Sequence, residues 1–322
     1  MNEIQVNQKP KFSVALKSDV YQNLINSTLR EPKRAANFIA NISTVVATNP
    51  ALQECDAATI LSAGLVAETL QLSMNQSLGH CYLVPFNDNK NNRKVAQFQL
   101  GYKGYLQLAM RSGNYKKINV LPIKEGELIS YDPLEEEIKV NISDSFDREN
   151  KKTIGYYAMF EYLNGFKKSI YWSFEKMMAH ADKYSQAFSA KETTKIIKDK
   201  QYKLVSYVDY RDGKYNKKDE WLYSSFWYKS FDDMAMKTML RQLISKWGIM
   251  SIEMQKAYFD DMGVIDEKGN VEYVENKDII NVENEIKEEI EVNANTGEVV
   301  EIKEEPKQEV KEQKNIFTDN PY

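Results

Sequence analysis

Cysteine and histidine are nearly absent from this 322-residue chain, which holds two of each. Cys55 and Cys81 cannot build a disulfide framework, so a reducing, cytoplasmic setting is expected. With His80 and His180 they lack the paired spacing of a zinc site, and no metal ligand set is predicted. No apolar run approaches the roughly 20 residues that cross a bilayer, so no membrane partner is expected. Residues 1–11 are polar, lack the apolar stretch of a secretory signal and read as a flexible arm. The phosphate-cradling Gly-x-x-x-x-Gly-Lys-Ser/Thr loop is missing, as are the Gly-x-Ser-x-Gly elbow and the His-Glu-x-x-His pair. Neither an ATP site, nor another cofactor, nor a catalytic residue is therefore predicted.

Charge of one sign is missing locally, although the chain as a whole is close to neutral at −4. From residue 263 to 322 there are 17 acids and 7 bases, while residues 1–262 hold 30 acids and 36 bases. A basic body of +6 thus precedes an acidic tail of −10. The tail is poor in aromatics and dominated by Glu and Lys, which cannot bury enough apolar surface to offset ordering entropy. The expected organisation is an arm over 1–11, one domain over 12–262 and a disordered acidic tail over 263–322.

Hydrophobic periodicity sets the fold class. Pro32 opens a helix that Asn49-Pro50 stops, and Asp56 caps a second helix that is apolar on nearly every side. The pattern then changes to period two around an Asn-rich break at 87–93, which predicts a β-hairpin. Residues 102–111 read as a short helix ended by Gly113, and strands are predicted over 118–123, 138–142, 154–162 and 168–174. Ser230 and Asp233 have capping-box spacing ahead of the stripe Met236, Met239, Leu240, Leu243 and Trp247, with Gly248 as the stop. A last helix over about 252–262 closes the body. N-terminal helices, antiparallel hairpins and a C-terminal helical segment make an α+β domain.

The strongest chemical signal is a 36-residue block, 89–124, with eight bases and no acid. Lys90, Arg93, Lys94, Lys103, Arg111, Lys116, Lys117 and Lys124 alternate there with Tyr102, Tyr105 and Tyr115. Bases that follow a phosphate backbone beside stackable rings suit single-stranded nucleic acid, whose unpaired bases expose π faces. On the predicted helix Lys103, Gln107 and Arg111 share one face, although a solvated surface gives the same spacing. Gly101-Tyr102-Lys103-Gly104 opens that helix, where glycines admit close approach and free amides favour anions; a tight strand-to-helix turn is the plainer reading. Lys237 and Arg241 on the capped helix, at i and i+4, are predicted to face away from the apolar stripe, and Lys246 lies near the helix end. Residues 183–218 hold ten bases against four acids. The phosphate contacts expected are Lys103, Arg111, Lys116, Lys117, Lys237 and Arg241, with Tyr102 or Tyr105 near the bases and the tip 90–94 reaching into nucleic acid or a neighbouring subunit. Asp232-Asp233 and Asp260-Asp261 keep a Mg²⁺-dependent nuclease as an alternative, although acids in a helix's first turn complement its dipole. A passive KH-like binding module is the other alternative.

Residues 98–111, Phe-Gln-Leu-Gly-Tyr-Lys-Gly-Tyr-Leu-Gln-Leu-Ala-Met-Arg, resemble the signature of the RecT family of phage single-strand annealing recombinases. The resemblance continues through 125–128, 132–134, 155–158, 164–168, 171–172, 233–238 and 245–249, in family order over residues 12–262. The chain departs from the family pattern over about 189–221. The resemblance implies ATP-independent annealing of complementary DNA strands, with the nascent duplex held in a basic groove and the protein assembled with itself as rings or helical filaments. It also implies a phage exonuclease as partner. For the acidic tail three readings stay open: a phosphate mimic occupying the groove, a dock for a replication protein, or a solubilising segment; a host single-strand binding protein is a suspected partner of the chain.

Overall fold

In the computed structural model, residues 11–88, 91, 93–142, 146–185, 187–197, 200–266 and 268–272 are described. Residues 1–10, Lys90 and the tail beyond 272 lie outside them. Helices α1 (Phe12–Ala15), α2 (Asp19–Leu29), α3 (Pro32–Thr48) and α4 (Pro50–Gln53) precede α5 (Ala57–Thr69). Asp56 caps α5 as expected, its Oδ1 accepting from Ala58 N–H at 3.1 Å. Every residue from Thr59 to Ala67 is buried, which is why this helix shows no polar face. Helices α2 and α3, together with the hairpin that follows, cover it.

That hairpin pairs β1 (Cys81–Asp88) with β2 (Arg93–Leu100) from Cys81↔Leu100 to Asp88↔Arg93. Helix α6 (Tyr102–Arg111) follows directly and ends at Gly113, whose φ of 70° fits the left-handed stop. Strands β3 (Tyr115–Lys124), β6 (Thr153–Tyr162) and β7 (Lys167–Ser173) form an antiparallel sheet in the order β3-β6-β7. Between β3 and β6 stands a separate two-stranded hairpin, β4 (Leu128–Asp132) with β5 (Glu137–Val140); the strand expected over 138–142 is its second half. Helix α7 (Phe174–Tyr184) leads to a further hairpin, β8 (Thr193–Ile197) with β9 (Lys200–Leu204). Short α8 (Tyr207–Arg211) and α9 (Phe226–Lys229) precede the long α10 (Phe231–Trp247) and then α11 (Ile252–Asp260). The class is α+β, as expected.

Helix α10 organises the second half of the core, packed against β6 on one side and α6 on the other. Met236, Met239, Leu240 and Leu243 of its stripe are buried as predicted, Trp247 at its end is exposed, and Lys237 and Thr238 outside the stripe are buried too. The capping box is not formed: Ser230 makes no side-chain cap bond, although Asp232 and Asp233 occupy the first turn. Packing continues past the boundary expected at residue 262. Met262 N–H donates to the Phe98 carbonyl at 2.8 Å, and Phe98 N–H donates to that of Gly263 at 3.1 Å. Strand β10 (Val264–Ile265) pairs with β11 (Val271–Glu272), with Val264 and Ile265 buried. No described helix is long and apolar enough to cross a membrane.

Candidate nucleic-acid interface

The two glycines at the start of α6 decide how that helix is seated. Gly101 N–H donates to the His80 carbonyl at 2.9 Å. A Cβ added at Gly101 would lie 2.1 Å from the Gly79 carbonyl oxygen, and one at Gly104 would lie 2.1 Å from that of His80. Both glycines therefore serve close packing of helix on backbone. The groups that approach the glycines this closely are the Gly79 and His80 carbonyls. Gly104→Ala is expected to cost about 1–3 kcal/mol through overpacking against an immobile backbone. Chemical denaturation checks this, and an unchanged midpoint would show that α6 can slide.

Tyr105, Lys237 and Arg241 meet in the interior around Asp261. Asp261 is fully buried and accepts from Leu100 N–H at 2.8 Å, Lys237 Nζ at 2.8 Å, Arg241 Nη1 at 2.9 Å and Tyr105 Oη at 3.3 Å. The Arg241 guanidinium also lies 4.1 Å from the centroid of the Tyr258 ring. Only 6% of the Lys237 side chain is exposed. These groups tie β2, α6, α10 and the end of α11 together, and Lys237 also borders a small cleft with Gly101, Tyr102 and Asp233.

The acid-free block meets acids contributed from outside it. Lys94 pairs with Glu54, Arg93 with Asp88 at 3.1 Å and Asp56 at 3.6 Å, and Lys116 with Glu161 at 2.7 Å. Lys117 is exposed beside the same Glu161, whose carboxyl is held below its usual range chiefly by the Lys116 hydrogen bond. Lys103 is exposed, and Arg111 donates to the Leu70 carbonyl at 2.6 Å and to Gln71 at 3.3 Å. Both stand near His80, whose pKa falls through burial and then through these two cations, so the patch repels a further proton. Gln107 and Tyr102 are half-buried, and Lys246 is exposed with its Nζ 5.8 Å from the Trp247 ring centroid.

The structure also assembles a groove that no local count reveals. A cleft of about 800 Å³ is bordered by Lys124, Lys151 and Lys152 from one side of the chain and Arg211 and Lys229 from the other. Aromatic rings, including Phe174, Tyr210 and Tyr215, line it between these cations. Its end at Ser230 and Asp233 is shared with a smaller cleft reaching Gly101 and Tyr102, where the Tyr82 and Phe226 rings lie 5.5 Å apart. The expected block thus contributes one end of the groove and Lys124. Sequence reasoning missed Lys151, Lys152 and Lys229: acids at 144, 147 and 149 mask the first two in any window count. Arg211 and Tyr210 fall in the second basic segment but had no assigned role.

The aspartates at this groove have distinct states. Asp232 accepts from Tyr156 Oη at 2.6 Å and Thr153 Oγ1 at 3.1 Å, and it faces Lys124 Nζ at 3.5 Å. The Asp233 carboxyl is raised above its ordinary range by partial desolvation, with Lys103 opposing and Asp232 adding to the effect. Of the other pair, Asp261 is committed to the internal cluster and Asp260 pairs with Lys256 at 2.9 Å. Among the described residues no three His, Cys, Asp or Glu side chains gather as a metal site.

The RecT family model matches residues 36–279. Among similar proteins is one from Bacillus subtilis (strain 168), "Uncharacterized protein YqaK", which is 37% identical over 230 residues, 71% of this chain and 65% of that protein. "Protein RecT" of Escherichia coli (strain K12) is 30% identical over 141 residues, 40% of this chain and 52% of that one. The chain therefore spans about two thirds and about half of the length of these relatives. With the match running from the N-terminal helices through α10, α11 and the closing hairpin, this chain belongs to the RecT family.

Proposed function

We propose that this chain binds single-stranded DNA along the aromatic-lined basic groove and anneals complementary strands without ATP, so promoting homologous recombination. The observation that carries this reading is the groove itself, where five bases border the rings and Lys124 already offsets Asp232. Two polyanions must be held together, so cations screen their repulsion and released counterions drive binding. Rings pack on one side of the bases while the pairing edges stay open to a second strand. Lys103, Arg111, Lys116 and Lys117 extend the track beyond the groove towards the annealed duplex. The chain works in the cytoplasm, assembled with itself as a ring or helical filament, beside a phage exonuclease and a host single-strand binding protein.

Two complementary oligonucleotides, mixed with the protein in EDTA without ATP, test the activity. Accelerated duplex formation with intact strands is expected. Mg²⁺-dependent strand loss would make the chain a nuclease, and binding without faster pairing would leave a passive module. A pH series tests the groove. Below the raised pKa of Asp233 its carboxyl is neutral, so single-strand affinity is expected to rise as pH falls, and Asp233→Asn is expected to remove that part of the rise. Equal pH profiles for the two proteins would place DNA away from Asp233.

A further inference from the structure

The groove leaves two hairpin ribbons without a role. In the β4–β5 hairpin no residue from 128 to 142 is buried, and Ile129 and Leu134 are 67% and 90% exposed. Asp132 lies directly opposite Glu137, a like-charge pair that destabilises a ladder, and Glu135 is exposed at the same tip. The ribbon is held to β7 through Glu136 with Lys168 and through the Tyr131 and Tyr171 rings at 5.2 Å. A two-stranded sheet with no buried side chain is marginal alone, and both its edges stay open.

The β8–β9 hairpin carries the opposite charge. Lys191, Lys200 and Lys203 are exposed, and none of them lines the groove. Lys217 and Lys218 are exposed on the 3₁₀ turn that follows. Glu136 takes Lys168, and Lys203 meets Glu192 of its own chain in an exposed pair at 2.7 Å, a surface contact that an incoming acidic tip can replace. We propose that the acidic, apolar tip of β4–β5 docks on the lysine-bearing β8–β9 hairpin of a second copy of this chain. Acid-tip and lysine-hairpin are different patches, so the contact is heterologous and repeats head to tail, closing a ring or continuing as a filament. The inference rests on the self-assembly proposed above and does not need annealing to be correct.

Charge reversal tests it on the full chain. Glu135→Lys with Glu137→Lys makes one variant, and Lys200→Glu with Lys203→Glu makes the other. Each alone is expected to weaken assembly at least about tenfold in mass photometry, with or without a long single strand, while keeping the wild-type melting profile. Mixed together they are expected to restore wild-type assemblies, because each reversed ribbon then meets its complement on the other variant. Folded variants that assemble like wild type, or whose mixture stays small, would overturn the interface. So would loss of short-oligonucleotide affinity in the lysine variant without rescue on mixing, which would make that hairpin a DNA contact. A wild-type chain that remains monomeric in both conditions would instead overturn self-assembly itself.

Discussion

Asp261→Ala is expected to cost about 3–5 kcal/mol of stability, because it leaves two buried cations without their counterion. In wild type the carboxylate takes Lys237 on Oδ1 and Arg241 on Oδ2, at 2.8 and 2.9 Å, and is itself fully buried. Removal also frees the Leu100 N–H, which donates to it at 2.8 Å. With a denaturant slope of about 3 kcal/mol per M, the urea midpoint should fall by about 1–1.7 M at matched protein concentration. Lys237→Met behaves differently. Methionine keeps much of the volume, and Asp261 retains Arg241 as partner, so a change within about 1.5 kcal/mol is expected. The same variant separates the internal from the phosphate-binding role: an unchanged salt slope of DNA binding accompanies the former, and a flattened slope would return Lys237 to the surface.

Removing Lys151, Lys152 and Lys229 together by alanine substitution is the second large effect expected. Each neutralised phosphate on a single strand contributes about 0.7 to the log–log salt slope, so the slope should fall by about 2. At 0.1 M salt that is about a fivefold loss per contact and about a hundredfold in all, or about 2.8 kcal/mol. All three border the groove and none belongs to the core, so the melting profile should stay at the wild-type value. Fluorescence anisotropy of a labelled oligonucleotide across a salt series measures both quantities. Unchanged slope and affinity would place the DNA track elsewhere, with the Lys103, Arg111, Lys116 and Lys117 patch as the remaining candidate.

The apolar periodicities of α3, α5, α6 and α10 and the Asn-rich break between β1 and β2 were legible because each is set by neighbours a few residues apart. Strand β4 and the β8–β9 hairpin were not: no residue of β4 is buried, and the alternation in β9 is confined to Tyr202 and Leu204, too short a run to mark a strand. Helical spacing put Lys237 and Arg241 opposite the Met/Leu stripe, and that placement holds. What the spacing could not register is that α6 and α11 pack on that side too, so polar residues there are internal and partnered. Gly101 and Gly104 show the same limit: their presence signals close approach, but only the fold identifies the approaching group as the 79–80 backbone.

The charge division between body and tail, the α+β class and the motifs that mark the family can all be read along the chain, because each depends on residues close together in it. Which cations are buried, paired or left at the surface follows from the fold alone. Charge acts through space, so Glu54, Asp56 and Glu161 partner bases far from them in sequence, while Lys151 and Lys152 border one groove with Arg211 and Lys229, more than fifty positions further along the chain.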